Sequence, residues 1–231
     1  MPQPGSLPLY QQISEMLIRD IASGRLTDGS RLPPEREMAA TLGIAVGTLR
    51  QALRDLTAKG LLDRVQGSGN YIRAKSDPAS IYALFRLERV AGGGLPTAQV
   101  LSVDRLPKDP ALPPFGQHSH GHRIRRLRFL ADEPAAVEEI WLDAAYAEKI
   151  GDLSESLYLY YREKLGLWIA RVEDRVGQGA VPDWSPAVFG PKPGALLPRI
   201  TRIGWARDGA SAEASWTWFD PAVASYVARL R

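Results

Sequence analysis

The sequence has no cysteine among its 231 residues. That excludes disulfides, thiolate zinc sites and cysteine nucleophiles, and it fits a reducing compartment. No apolar run approaches the ~18 residues that a membrane span needs. Met1 to Ser6 has neither a basic n-region nor an apolar h-region, so no signal peptide is expected and the expected location is the cytoplasm. Histidine is scarce, and His118, His120 and His122 are its only copies. A His-x-His-x-His run offers ligands on alternate residues of an extended segment, yet no carboxylate or thiolate lies near it in sequence. A polar loop with no metal is the plainer expectation, and no cofactor is expected either. Charge of one sign is also sparse, with a formal net of only +3.

What charge excess exists is uneven. Residues 1–75 hold ten Lys/Arg against seven Asp/Glu, whereas residues 76–231 hold nineteen of each. The whole positive excess sits in the first third, which suits a polyanion partner only if a motif accompanies it. Hydrophobic residues make up 45% and charged residues 24%, the balance of an ordinary globular protein, and the length suits two domains.

The motif lies in that first third. A helix is expected from about Leu9, with Ile13, Leu17 and Ile21 on one face and Gly24 past its end. After the breakers Asp28-Gly29 and Pro33-Pro34, a second helix begins near Glu35 and buries Met38, Ala39 and Leu42. Gly43 permits a sharp turn. A third helix runs from about Val46 to Lys59, with Leu49, Leu53 and Leu56 inward and Arg50, Gln51 and Arg54 off that stripe. Leu61 to Ile72 reads as a hairpin around Gln66-Gly67-Ser68-Gly69. Two helices at a tight turn followed by a hairpin make a winged helix-turn-helix, whose third helix would enter a DNA major groove.

Leu32 to Ala39, Thr48 to Leu53, and Gly60 to Tyr71 together resemble the GntR family of bacterial transcriptional regulators over about residues 7–73. That resemblance implies DNA contacts from Arg36 and Arg50, with Thr48 at the helix start and Gly67 and Gly69 in the wing; Arg64 and Gln66 are further candidates, with a solvated surface charge as the alternative for Arg64. The chemistry suits those roles: a guanidinium fork fits phosphate or guanine, and a threonine is short enough to reach a phosphate or a thymine methyl. The chain departs from the family at Ala45-Val46-Gly47, where many members carry Ser-Arg ahead of the threonine.

A linker is expected at 76–80, then a strand over 81–87 and another over 99–104. Asp109 to Gly116 is Pro-rich and loop-like. Arg123 to Leu130 and Ala135 to Leu142 read as paired strands about a turn at Ala131 to Pro134, and Asp143 to Ile150 as a helical turn. A helix is expected over 153–166 with an N-cap near Ser154, a strand over 169–176, a short helix over 184–190, and a hairpin from Arg199 to Phe219. A terminal helix is expected over 221–230. Such irregular alternation predicts an antiparallel α+β domain.

Arg126-Leu127-Arg128, Asp132-Glu133-Pro134 with Glu138, Ser156-Leu157-Tyr158, Pro193 to Leu197, and Glu213 resemble the UTRA effector-sensing domain of the HutC subfamily, over about residues 81–231. The likeness implies a chorismate-lyase-like fold and a ligand site in the sheet mouth formed by Arg126, Arg128, Glu138, Ser156, Tyr158, Arg171 and Glu213. Arginines two apart on a strand share a face and suit an anion; cross-strand pairing with Glu138 or Glu139 is the structural alternative. Trp216 and Trp218 also share a face, as core residues do. The expectation is a DNA-binding regulator, a repressor, acting as a homodimer on a double-stranded operator, released by a small anionic metabolite and not bound to membrane. A chorismate-lyase-like enzyme and an architectural DNA-binding protein are the competing classes; no Ser-His-Asp set supports the former.

Overall fold

The computed structural model describes residues 8–22, 24–73, 84–91, 95–151, 153 and 156–228. The described residues of Glu88–Ser225 form one compact unit, and those of Leu7–Leu87 and Tyr226–Arg231 a second.

In the first segment α1 (Leu9–Ala22), α2 (Glu35–Thr41) and α3 (Val46–Ala58) precede a hairpin of β1 (Leu62–Val65) and β2 (Gly69–Ile72). The heptad-like stripe fixes the packing: Ile13, Leu17 and Ile21 of α1 are buried with Leu49, Leu53 and Leu56 of α3. Gly43 sits at φ 65° between α2 and α3, a conformation that costs a β-carbon-bearing residue energy. The hairpin register pairs Leu62 with Ile72 and Arg64 with Asn70. Leu32 N–H donates to Asn70 O and Ile72 N–H to Ser30 O, so the segment before α2 lies along the wing.

The other unit is a six-stranded antiparallel sheet in the order β4-β5-β6-β9-β8-β7. Its strands are β4 (Pro96–Pro107), β5 (His120–Leu130), β6 (Glu133–Asp143), β7 (Ile169–Ala180), β8 (Leu196–Ala206) and β9 (Ser211–Phe219). Period two gives the sheet two faces. One carries Arg126, Arg128, Glu138, Glu213, Arg202 and Asp174, by register. The other carries Leu127, Val137 and Trp218, which pack with Val181 and Phe189 and with the partly buried Trp184 and Trp216. The two tryptophans are thus core. A brace closes one end: Lys108 Nζ donates to Asp143 Oδ2 at 2.7 Å and to Phe115 O at 2.6 Å.

Several expectations change. The tail is not a helix at its centre: Ala224–Tyr226 forms β10, which pairs with β3 (Leu87–Arg89). Val90 N–H donates to Val223 O and Val227 N–H to Arg86 O, so a distant strand captures a locally helix-compatible segment. The strand expected over 81–87 survives only at Leu87; residues 81–83 and the linker at 76–80 lie outside the described residues. Helix α4 spans Leu157–Lys164, shorter than expected, and Ser156 is its N-cap, with Oγ accepting from Leu159 N–H; Ser154 lies outside the described residues. The segment expected to be helical near 184–190 makes only a 3-10 turn at Ala187–Phe189. The histidine run is not a loop throughout, since His120 and His122 open β5. His122 is buried with Nε2 2.8 Å from Ala147 O, and His118 Nδ1 accepts from His120 N–H. Among the described residues no cluster of His, Asp or Glu could hold a metal ion, and no helix is long and apolar enough to cross a membrane.

Candidate functional site

Two clusters stand out, one in each unit. In the first, α3 begins at Val46 behind Ala45, whose side chain cannot cap it, so the helix opens without a side-chain acceptor for its first N–H groups. Thr48 is half-buried in that first turn and Arg50 is exposed two residues on. Arg50 Nε donates to Glu35 Oε2 at 2.7 Å, and Arg64 on β1 donates to the other oxygen, Oε1, at 2.5 Å. Arg64 Nε also reaches Asn70 Oδ1 at 3.2 Å. The hydrogen bond from Arg50, together with Arg64, holds the Glu35 carboxyl below its ordinary range against the opposing effect of partial burial. Glu35 therefore ties the third helix to the wing.

Arg36 is exposed and makes no ion pair among the described residues. It is thus paired with neither Glu35 nor Glu37 beside it. Gln66 and Gly67 are exposed at the wing tip, with Gly67 at φ 75°. Gly69 sits at φ 131°, a conformation that favours glycine, and packs beside the Arg31 side chain. Glu35, Arg64, Gln66, Gly69 and Asn70 line a cleft of about 500 Å³ on this side.

The second cluster is buried. Arg126 donates to Glu138 Oε2 at 2.7 Å, and Arg128 reaches the same oxygen at 3.3 Å. The register that sets Arg126 opposite Glu138 makes this the cross-strand pair anticipated from sequence. Burial alone would raise Glu138, but Arg128 and Arg126 outweigh it and pull its carboxyl down to about 2. Burial in turn lowers Arg126. Beside this pair, Tyr158 from α4 donates to Glu213 Oε1 on β9 at 3.0 Å. Burial raises Glu213, and burial likewise raises Tyr158 and Tyr161. Tyr161 also faces Glu213, and the carboxyl interacts with both phenols. Ser156 is buried at the start of the helix that supplies both tyrosines.

Arg171 lies apart from this cluster. Its guanidinium carbon sits 3.7 Å from the centre of the Trp205 ring, and its odd offset from Asp174 along the strand puts it on the opposite sheet face. Three members were missed in sequence. Arg202 binds Asp174 with two bonds, Nε to Oδ1 at 2.6 Å and a second guanidinium nitrogen to Oδ2 at 2.7 Å. Burial works against the Arg202 charge, but Tyr158 and Asp174 outweigh it and lift the guanidinium above its ordinary range, and Arg202 in turn acts on Glu213. Tyr161 is fully buried. The signal that existed was parity: Arg202, Asp174 and Glu213 share the face of Arg126. Chemically, the cluster joins guanidinium and phenol donors to carboxylate acceptors, a set matched to an anion that also carries hydroxyls.

The profile described as bacterial regulatory proteins, gntR family, matches residues 9–72, and the UTRA domain profile matches 91–222. The HTH-type transcriptional regulator SmoD of Agrobacterium fabrum is 62% identical over 229 residues, 98% of each chain. MngR of Escherichia coli, the mannosyl-D-glycerate transport/metabolism system repressor, is 32% identical over 61% of each chain. In fold, the crystal structure of YydK from Bacillus subtilis aligns with a TM-score of 0.54 at 20% identity, covering 97% of this chain and all of that one.

Proposed function

Because the chain belongs to the gntR family of bacterial regulatory proteins and carries a UTRA domain, making it a DNA-binding transcriptional regulator controlled by a metabolite, we propose that it is a cytoplasmic, homodimeric repressor without catalytic activity. Residues 1–75 form the DNA-binding head and 76–231 the effector-binding and dimerising part, with 76–80 between them. Arg36, Thr48, Arg50, Arg64, Gln66, Gly67 and Gly69 meet the operator. Arg50 and Arg64 exchange Glu35 for phosphate or base edges as the head docks, and two heads on a dimer read a pseudo-palindrome.

The effector is an anionic metabolite with hydroxyls. The observation that carries this reading is the buried Arg126–Glu138–Arg128 set beside Tyr158–Glu213. Arginines so placed are pre-organised for a carboxylate or phosphate, while Glu213, Tyr158, Tyr161 and Ser156 offer acceptors and donors to hydroxyls. The name of the MngR relative refers to mannosyl-D-glycerate, a carboxylate-bearing sugar derivative, which supports a ligand of this chemistry. Binding shifts the population toward a state of low operator affinity, as differential affinity requires.

The test is a thermal-shift series with sugar phosphates and sugar acids, each hit then measured for release of DNA taken from upstream of the protein's own gene. A ligand that raises the melting temperature and releases that DNA supports the reading. Hits confined to uncharged sugars would sink the anionic effector, and turnover of a hit would return the enzyme reading.

A further inference from the structure

The two edges of the six-stranded sheet are built differently. At one edge, β4 begins at Pro96, ends at Pro107 and is interrupted by a bulge between Val100 and Ser102. Prolines and bulges blunt an edge against further pairing. At the other edge, β7 is twelve residues long, contains neither proline nor lysine, and no strand among the described residues pairs with its outer side. Its exposed residues include Val176, at 53%.

The sequence of β7 around Asp174 reads Val172-Glu173-Asp174-Arg175-Val176. Turned end for end, it sets Val172 against Val176 and Glu173 against Arg175, with Asp174 against itself. From this we infer that β7 is the edge by which a second copy of this chain docks, antiparallel, on a two-fold axis through Asp174. This rests on the homodimer reading above and says where that dimer forms. A two-fold interface must be self-complementary, with residue i meeting j and j meeting i. Here Val172 meets the partner copy's Val176, Glu173 meets Arg175 of the other copy, and both pairs recur across the axis. Within one chain Arg175 Nε already donates to Glu173 Oε1 at 2.8 Å while its side chain is 77% exposed, so the charges lie side by side and available. On that same face Arg171 would stand opposite Gly177, which has no side chain to obstruct it.

Asp174 lies opposite its own copy at the axis, and two facing carboxylates would repel. Each is already held by two bonds from Arg202 and is 7% exposed. With Arg202 bound to each, both aspartates bring a neutralising guanidinium to the axis. Arg202 belongs to the buried network with Tyr158 and Glu213. The dimer contact and the effector cluster thus share one guanidinium, and an anion that draws Arg202 away would weaken the neutralisation at the axis.

The experiment is sedimentation of the full chain across a concentration series. In Glu173→Arg, two attractive cross-strand pairs become repulsive, and the dimer dissociation constant should rise about tenfold or more. The swap E173R/R175E restores both pairs and should return the constant to within about threefold of the starting value. Independently, V172C/V176C should oxidise to a covalent dimer. The chain has no native cysteine, and the two positions, four apart on one strand, are about 13 Å from each other, too far to bridge within a chain. An unaltered chain that is dimeric, with E173R equally dimeric, overturns the edge assignment and leaves the homodimer standing. Failure of the cysteine pair to cross-link while E173R also has no effect overturns the edge assignment in the same way. An unaltered chain that is monomeric even on operator DNA overturns both.

Discussion

Two glutamates in this chain each hold two arginines, one pair at the surface of the head and one inside the sheet domain. Glu35 binds Arg50 and Arg64, whose side chains are 54% and 36% exposed. Glu138 binds Arg126 and Arg128, at 4% and 8%. The groups and the stoichiometry are the same, and the depth differs. In high dielectric the surface set is weakly held and its arginines can leave for another anion. Inside the sheet, water cannot replace a lost partner, so an incoming anion must be received by a set that is already charged and fixed. One arrangement is suited to exchange and the other to recognition by fit.

The comparison breaks most visibly if the inner glutamate is removed. Glu138→Ala leaves two arginines buried without their shared carboxylate and should destabilise the sheet domain by about 3–5 kcal/mol, read by chemical denaturation. Acid probes the same group. Its folded carboxyl lies at about 2, below the ordinary 4.5. Its contribution, about 3 kcal/mol, is therefore complete above pH 4.5 and is lost as pH falls toward 2. Glu213 runs the other way: burial raises it, so the folded domain gains from its protonation as pH falls toward 4.5. A stability profile measured from pH 7 to pH 2 should show a rise or plateau before the acid fall, and Glu213→Gln should remove the rise.

Function sharpens the contrast at the outer set. Arg50→Ala should weaken operator binding by about 1–3 kcal/mol in a direct binding titration while leaving the thermal midpoint of the head nearly unchanged. The smallest effect belongs to Glu35→Ala, which should shift the head's stability by less than about 1 kcal/mol. A loss comparable to that of Glu138→Ala would show that the two sets are not distinguished by depth.

Periodicity made the head legible. Leu49, Leu53 and Leu56 repeat at helical spacing, and Gly43, Gly67 and Gly69 mark the turns, so local sequence alone fixes those boundaries. In the sheet domain, hairpins such as β5–β6 were equally readable, because the positive-φ pair Ala131 and Asp132 turns between two alternating runs. The tail was not. Pro221 to Leu230 has helix-compatible spacing, yet Ala224–Tyr226 pairs with a strand more than 130 residues earlier, and no local window contains that partner. The same limit hid Arg202 and Tyr161. Each is an ordinary residue in its own segment and becomes part of a site only when register brings β7, β8, β9 and α4 together. Arg36 and Arg50 needed no such assembly, since each lies on a helix, α2 or α3, that is legible in its own segment.

The Glu35 clamp also sets how the head responds to ionic strength. Each phosphate neutralised on DNA releases condensed counterions, and log K falls with log salt at a slope of about −0.9 per phosphate. If Arg50 and Arg64 meet the operator as proposed, their shared carboxylate leaves one net positive charge at this corner where two guanidiniums would suggest two. Binding through this corner of the head is accordingly less sensitive to salt than a count of its arginines implies, and more of its dependence on the operator is left to fit than to charge.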